Sequence, residues 1–138
     1  MNKVTFRSFQ KGDYEMVCGW WHWWWKGEKG IERKLLPDDS NCLILEHNNN
    51  PLYAGFLYLG KNAPIGYLTW IVSNPNYKVE SRKTLLETFI TSIEQKAKRE
   101  GVEFIFTVCG NKTLKLAHKN LDWWVDDKLP SNEGFKHI

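Results

Sequence analysis

Long apolar runs are missing from this sequence. No window approaches the roughly 20 apolar residues that a membrane-spanning helix needs. The first residues, MNKVTFRSFQKGD, also lack the apolar stretch of a secretion signal. We therefore expect a protein of the cytoplasm that makes no membrane contact.

Cysteine and histidine are scarce. The three cysteines, Cys18, Cys42 and Cys109, lie far apart and form no C-x-x-C pair. The four histidines do not combine with them at the spacing of a zinc site. This pattern excludes a disulfide scaffold, so we expect unpaired thiols and no bound metal.

A strong charge of one sign is missing as well. Lysine and arginine number 19 against 16 acidic residues, which leaves a net charge of +3. That balance is too mild to indicate nucleic acid, which we do not expect as a partner. The length of 138 residues and the 42% hydrophobic content are those of one globular domain spanning residues 1–138.

Tryptophan, in contrast, is abundant. Five of the eight tryptophans fall in one stretch, Trp20-Trp21-His22-Trp23-Trp24-Trp25. A helix buries one face, so tryptophans pointing all round it cannot all lie in the core. We expect Trp21 and Trp24 in the core and at least one of Trp20, Trp23 and Trp25 at the surface.

Hydrophobic periodicity gives the order of elements as β-α-β-β-β-α-β-α-β-β. Asp13 is the predicted N-cap of the first helix, and Ser81 that of the second. Three antiparallel strands followed by crossover helices predict an α/β fold with a mixed, antiparallel-to-parallel sheet of six or seven strands flanked by helices. Strands are predicted at 4–9, 41–46, 52–59, 65–72, 104–108, 122–125 and 134–138, and helices at 14–26, 81–100 and 111–119.

The third predicted helix carries a recognisable motif. The segment Asn111 to Trp123 resembles, without a gap, the N-x-x-A-x-x-L-Y-x-x-L-G-F pattern of the GNAT superfamily of acyl-coenzyme-A N-acyltransferases. Asp122 replaces the glycine at the helix end, where aspartate tolerates a left-handed backbone. His118 stands where the family has its tyrosine.

A narrower resemblance is to small phage-encoded GNAT-like proteins, which would place the chain in a host cytoplasm. It rests on the segments 54–59 and 70–75, on the pair Trp20-Trp21, and on a basic start to the second helix. The family's Gly-rich R-G-x-G-x-G loop corresponds here to 81–86, which contains no glycine. Helix N-termini bind anions, and Arg82 and Lys83 add positive charge there.

The resemblance implies a coenzyme site and an acyl-transfer centre. Thr69, where many members have a glutamate, could hold a water for deprotonation of the amine, and His118 would be the general acid. Trp20, Trp23 and Trp25 would lie on the acceptor side. The coenzyme-binding residues would be Ile71, Val72 and Ser73 through their backbone, with Ser81, Arg82, Lys83, Thr84 and Asn111.

Two functions stay open from the sequence. The first is an N-acyltransferase that moves an acetyl group from acetyl-coenzyme A to a small-molecule or protein amine. The second is a GNAT-like protein without activity that engages a host or phage partner through its tryptophan-rich face. Those tryptophans could equally form a homodimer contact.

Overall fold

The computed structural model describes residues 3–126 and 132–138. The elements appear in the predicted order. Residues 128–131 of the link predicted at 128–132 lie outside the described residues, and residue 132 begins the last strand. The helices are α1 (Asp13–Trp24), α2 (Arg82–Arg99) and α3 (Lys112–Asn120), and short 3₁₀ turns occupy Arg33–Leu35 and Asp39–Asn41. The strands are β1 (Val4–Ser8), β2 (Cys42–His47), β3 (Asn50–Leu59), β4 (Ile65–Ser73), β5 (Phe104–Cys109), β6 (Trp124–Val125) and β7 (Asn132–His137).

The seven strands form a mixed sheet in the order β1-β2-β3-β4-β5-β7-β6. Strands β4 and β5 pair in parallel, whereas β1 with β2, β2 with β3, β5 with β7 and β6 with β7 pair antiparallel. This confirms the predicted mixed α/β class. The chain divides into two compact units, Met1–Phe56 with Trp70–Val79, and Leu57–Thr69 with Glu80–Ile138. We call them the first and the second unit.

The first unit is built on the β2–β3 hairpin. Asn48 and Asn49 form its turn with positive φ angles of 51° and 67°, a conformation that asparagine tolerates better than most residues. Helix α1 buries Val17, Trp20 and Trp21. The Trp21 ring packs on Phe56, with ring centroids 5.5 Å apart, so an aromatic contact joins α1 to β3.

The start of α1 differs from the prediction. The N-cap position belongs to Gly12, and Asp13 is the first helical residue. The Asp13 carboxylate accepts hydrogen bonds from the backbone N–H of Gln10 at 2.6 Å and from the guanidinium of Arg7 at 2.6 Å. Arg7 also pairs with Glu46, and this network raises the pKa of Arg7, chiefly through the hydrogen bond with Asp13. Asp13 therefore ties the helix to the sheet.

The second unit packs the apolar face of α2 inward, as its periodicity predicts. Gly101, with φ of 88°, ends that helix, because glycine adopts the left-handed backbone without strain. Ser81 occupies the N-cap position, but its side chain makes no capping hydrogen bond, contrary to the prediction. The buried residues of α2 are Leu85, Leu86, Phe89, Ile90, Ile93 and Ala97.

Helix α3 is capped at both ends by the motif residues. The Asn111 side chain accepts a hydrogen bond from the N–H of Leu114 at 2.9 Å. At the other end, Asp122 has a φ of 67°, and the N–H of Trp123 donates to the His118 carbonyl at 3.0 Å. This is the Schellman arrangement, and it confirms that Asp122 fills the glycine position. Over the described ranges, no helix has the length and apolar character to cross a bilayer.

Candidate functional site

Strand β4 changes character in its middle. Its parallel ladder with β5 runs from Ile65 to Leu68, and two residues later Trp70 has a left-handed backbone with φ of 57°. The alternation of buried and exposed side chains breaks there, because Leu68 and Thr69 are both buried while Trp70 is exposed. A left-handed backbone at a bulky residue re-aims the side chains around it, and local strain of this kind is frequent at functional sites.

The predicted backbone contact residues follow Trp70 directly in β4. Val72 is buried, whereas Ile71 and Ser73 are half-buried. The carbonyl oxygen of Ser73 already accepts a hydrogen bond from the indole N–H of Trp24 at 2.8 Å. One of the backbone groups assigned to the coenzyme is thus shared with a tryptophan, a contact that sequence spacing did not reveal.

Four tryptophans of the first unit reach the surface: Trp23, Trp24, Trp25 and Trp70. We call them the tryptophan surface. Trp24, expected in the core, is 44% exposed, whereas Trp20 is 4% exposed and does not belong to this surface. Trp24 lies on the helix face that carries the core residues, but in the last turn, beyond the buried part of the helix.

The tryptophan surface is anchored on the core of its unit. Trp25 stacks on buried Trp21 with an interplanar angle of 16°, and Trp21 packs on Phe56. Trp25 also meets Trp70 edge to face, with ring centroids 6.3 Å apart. A continuous column of rings therefore runs from the core to the surface.

Gly30 lets the loop after α1 lie on this column. A Cβ atom at residue 30 would overlap the six-membered ring of Trp21. We expect Gly30→Ala to destabilise the protein by about 1–3 kcal/mol, because the fully buried indole cannot shift without strain. Urea denaturation measures the change.

A second glycine supplies the control for this variant. Gly19 lies inside α1, and a Cβ there would meet nothing within 4 Å. Gly19→Ala should stabilise the protein by up to about 1 kcal/mol through helix propensity. Equal effects of the two substitutions would contradict the packing of the loop on Trp21.

The start of α2, in the second unit, carries the predicted cations. Arg82 is half-buried, while Ser81, Lys83 and Thr84 are exposed. The first N–H groups of a helix have no partner within the helix, and they present a partial positive charge. The start of α2 is therefore suited to an anion. Two cationic side chains supply the attraction, whereas in a glycine-rich loop the anion would approach the backbone N–H groups closely.

His118 lies inside the second unit, not on the surface. It is 1% exposed, its Nδ1 donates to the Leu114 carbonyl at 2.6 Å, and its ring meets Trp123 edge to face. Burial lowers the pKa of His118 to about 4, so the ring is neutral near pH 7. Among the described residues, no hydrogen-bond partner faces its Nε2 atom. This environment favours a structural histidine, and the general-acid role stays a prediction.

The environment of His118 includes a thiol. Cys109 Sγ lies 3.5 Å from His118 Nδ1. Burial raises the pKa of Cys109, like that of Cys42, to about 11, so both thiols are protonated at neutral pH. Neither is a nucleophile under these conditions. All three cysteines are unpaired, and within residues 3–126 and 132–138 no three His, Cys, Asp or Glu side chains come together as metal ligands.

Comparison of the sequence with protein-family models and with curated proteins finds no match. Comparison of the structure gives clear similarities. N-acetylglutamate synthase from Neisseria gonorrhoeae, solved with coenzyme A and N-acetyl-glutamate, matches 99% of this chain with a TM-score of 0.74 and 18% identity. This chain covers 35% of that protein, and so spans about a third of its length.

Two further structures match over nearly their whole lengths. Polyamine N-acetyltransferase from Drosophila melanogaster has a TM-score of 0.70 and 9% identity, covering 99% of this chain and 100% of its own. Diaminobutyrate acetyltransferase from Paenibacillus lautus, solved with its substrate and coenzyme A, has a TM-score of 0.70 and 14% identity, covering 99% and 96%. The chain has the GNAT fold, as its α3 motif predicted.

Proposed function

We propose that this protein is an N-acyltransferase that transfers an acetyl group from acetyl-coenzyme A to an amine. The supporting observation is the match of the whole chain to N-acetyltransferases, two of them crystallised with coenzyme A. The basic start of α2 adds local support, because it provides an anion site, and the left-handed backbone of Trp70 marks an irregular point of β4 beside the predicted contact residues.

In this proposal the first turn of α2 holds the phosphates of the coenzyme. The guanidinium of Arg82 and the ammonium of Lys83 make charge-assisted contacts, and the N–H groups of Lys83 and Thr84 add hydrogen bonds. Asn111, whose side chain caps α3, would contact the coenzyme through its backbone or amide nitrogen. The pantetheine arm would pair with the backbone of Ile71 and Val72, since Trp24 already occupies the Ser73 carbonyl.

The transfer itself needs four proton and charge movements. The acceptor ammonium loses a proton, and its neutral nitrogen attacks the thioester carbon. A backbone N–H at the end of β4 stabilises the oxyanion that forms on the carbonyl oxygen. The nitrogen then gives up a second proton, the C–S bond breaks, and the thiolate takes a proton to leave as the thiol of coenzyme A, while the acceptor becomes an amide.

Two residues have proposed parts in these proton movements. Thr69 is 7% exposed, so its hydroxyl could hold one ordered water toward the amine. The thiolate has a pKa near 8.5 and needs only a mild acid. The proposed donor is water, or His118 once its Nε2 has taken up a proton, since the neutral ring commits its Nδ1–H to the Leu114 carbonyl. A drop in kcat of about tenfold or more in His118→Ala, with coenzyme affinity unchanged, would support the histidine. Unchanged turnover would leave water as the donor.

We predict that acetyl-coenzyme A binds at the start of α2 and that the double change of Arg82 and Lys83 to alanine weakens it by about 2–4 kcal/mol. Each charge-assisted contact contributes about 1.5–3 kcal/mol, and the two are not fully additive. Calorimetric titration of the full chain measures the affinity.

The far end of the same helix supplies a matched control. Lys98 and Arg99 are exposed, and changing both to alanine alters the net charge by the same amount. That variant should bind the coenzyme like the wild type. An equal loss in both variants would indicate only long-range attraction. No heat at millimolar acetyl-coenzyme A would overturn the proposed function and favour a binding protein without activity.

A further inference from the structure

The tryptophan surface adjoins the end of strand β4. Trp70 belongs to the strand, and the indole N–H of Trp24 donates to the Ser73 carbonyl. Under the proposed function this part of β4 carries the acyl thioester. The tryptophan surface is therefore placed where the body of an acceptor would lie while its amine reacts.

The four rings are exposed and held in fixed orientations. Trp23 is 57% exposed and Trp24 44%, and they meet edge to face with centroids 4.6 Å apart and an interplanar angle of 80°. Trp24 is fixed by its hydrogen bond, and Trp25 by its stacking on Trp21. An edge-to-face pair leaves indole faces available, and rigid rings lose little conformational freedom on binding.

The charge beside these rings disfavours an acceptor with a second cationic group. In the loop after the helix, Glu32 pairs with Lys34 and Asp39 with Arg33. Glu28 lines a pocket of about 320 Å³ with Tyr14, Cys18 and His22. Lys26, which is exposed directly after Trp25, repels a second cation.

We infer that the acceptor is an arylalkyl amine, a primary amine joined by a short chain to a flat aromatic ring. The ring stacks on the tryptophan surface while the amine reaches the thioester at β4. This inference rests on the proposed function, and it departs from acceptors with a second cationic group such as diaminobutyrate, which is a substrate of the Paenibacillus lautus enzyme. Aromatic stacking between rigid rings supplies selectivity beyond apolar burial.

Binding is tested without turnover, using protein labelled with fluorotryptophan and no coenzyme. Three amines are titrated while the fluorine NMR signals are followed: phenethylamine, its saturated counterpart cyclohexylethylamine, and the diamine cadaverine. We expect phenethylamine to bind about three- to tenfold tighter than cyclohexylethylamine, since stacking contributes about 0.5–1.5 kcal/mol beyond burial. Cadaverine should bind more weakly than either.

Two pairs of substitutions locate the effect. Trp23→Leu with Trp24→Leu should remove the preference for the aromatic amine, whereas Trp23→Phe with Trp24→Phe should retain most of it. The control is Trp124→Leu, which removes another exposed indole from β6 and should leave the preference unchanged. Thermal unfolding of each variant checks that the fold persists, and the phenylalanine pair keeps the test valid if the leucine pair unfolds.

The outcomes separate this inference from the proposed function. Equal binding of phenethylamine and cyclohexylethylamine, or tighter binding of cadaverine, overturns the aromatic acceptor even if acetylation of amines is observed. Ring-selective binding with no acetylation in the presence of acetyl-coenzyme A supports the tryptophan surface as a binding site for aromatic amines and overturns the proposed acyltransferase activity. Ring-selective binding together with faster acetylation of phenethylamine supports both.

Discussion

Acidification from pH 6.5 to pH 4 should lower the free energy of unfolding by about 3 kcal/mol through His118 alone. The pKa of this histidine falls from 6.5 to about 4 on folding, first because burial penalises the charged ring. Each pKa unit corresponds to about 1.4 kcal/mol. The hydrogen bond from Nδ1 to the Leu114 carbonyl opposes the shift but does not cancel it.

The sign follows from proton binding. Between these two pKa values the unfolded chain binds a proton that the folded protein excludes, so stability rises with pH. The contribution of His118 is fully present above pH 6.5 and is lost as the pH falls toward 4. Urea denaturation at pH 7, 6, 5 and 4 gives the curve for the wild type.

A variant without the imidazole isolates this effect from the other titrating groups. His118→Leu should be less dependent on pH by about 3 kcal/mol over the same interval, whatever its stability at pH 7. His22→Gln is the matched control, since His22 is exposed at the end of α1. If His118→Leu and the wild type lose stability in parallel, His118 is not buried as a neutral ring.

Glu94→Leu should destabilise the protein by about 2–4 kcal/mol. The Glu94 carboxylate accepts hydrogen bonds from the indole N–H of Trp123 and from the ammonium of Lys136, which lies 3.2 Å away. Trp123 is 3% exposed, so the leucine variant leaves a buried donor without this acceptor and a cation without its counter-charge. Lys136 keeps its 2.7 Å hydrogen bond to the Leu121 carbonyl.

A second ion pair on the same helix sets the scale for this loss. Lys96 in the last turn of α2 and Glu100, its C-cap residue, are 2.8 Å apart at i,i+4 spacing. Glu100→Leu should change the stability by no more than about 0.5 kcal/mol. Glu94→Gln, which keeps an acceptor for Trp123, should fall between the two. A loss at Glu94 no larger than that at Glu100 would show that the Glu94 cluster contributes nothing specific.

These clusters explain how the α3 motif is held in place. Glu94 on α2 and Lys136 on β7 both fix the residues that end α3, and His118 fills the space beneath that helix. The histidine at the tyrosine position of the GNAT motif is thus part of the packing of the second unit. Its catalytic role is a separate question, which turnover of the His118→Ala variant addresses.

Local features of this protein were determined by the sequence itself. The caps of α3 at Asn111 and Asp122, the turn at Asn48 and Asn49, and the glycine that ends α2 depend on hydrogen bonds and backbone preferences within a few residues. The order of elements and the α3 motif together indicated the GNAT fold. The burial of His118 was not predicted, although positions 114, 117, 118 and 121 share one helical face.

Other features were decided only by the tertiary structure. Trp24 was expected in the core, yet its indole bonds to Ser73, which is 49 residues away in the sequence, and the ring stays exposed. The left-handed backbone of Trp70 likewise has no local signal, because tryptophan does not favour positive φ. Packing against distant strands overrides such local preferences, and it is this packing that assembles the tryptophan surface beside β4.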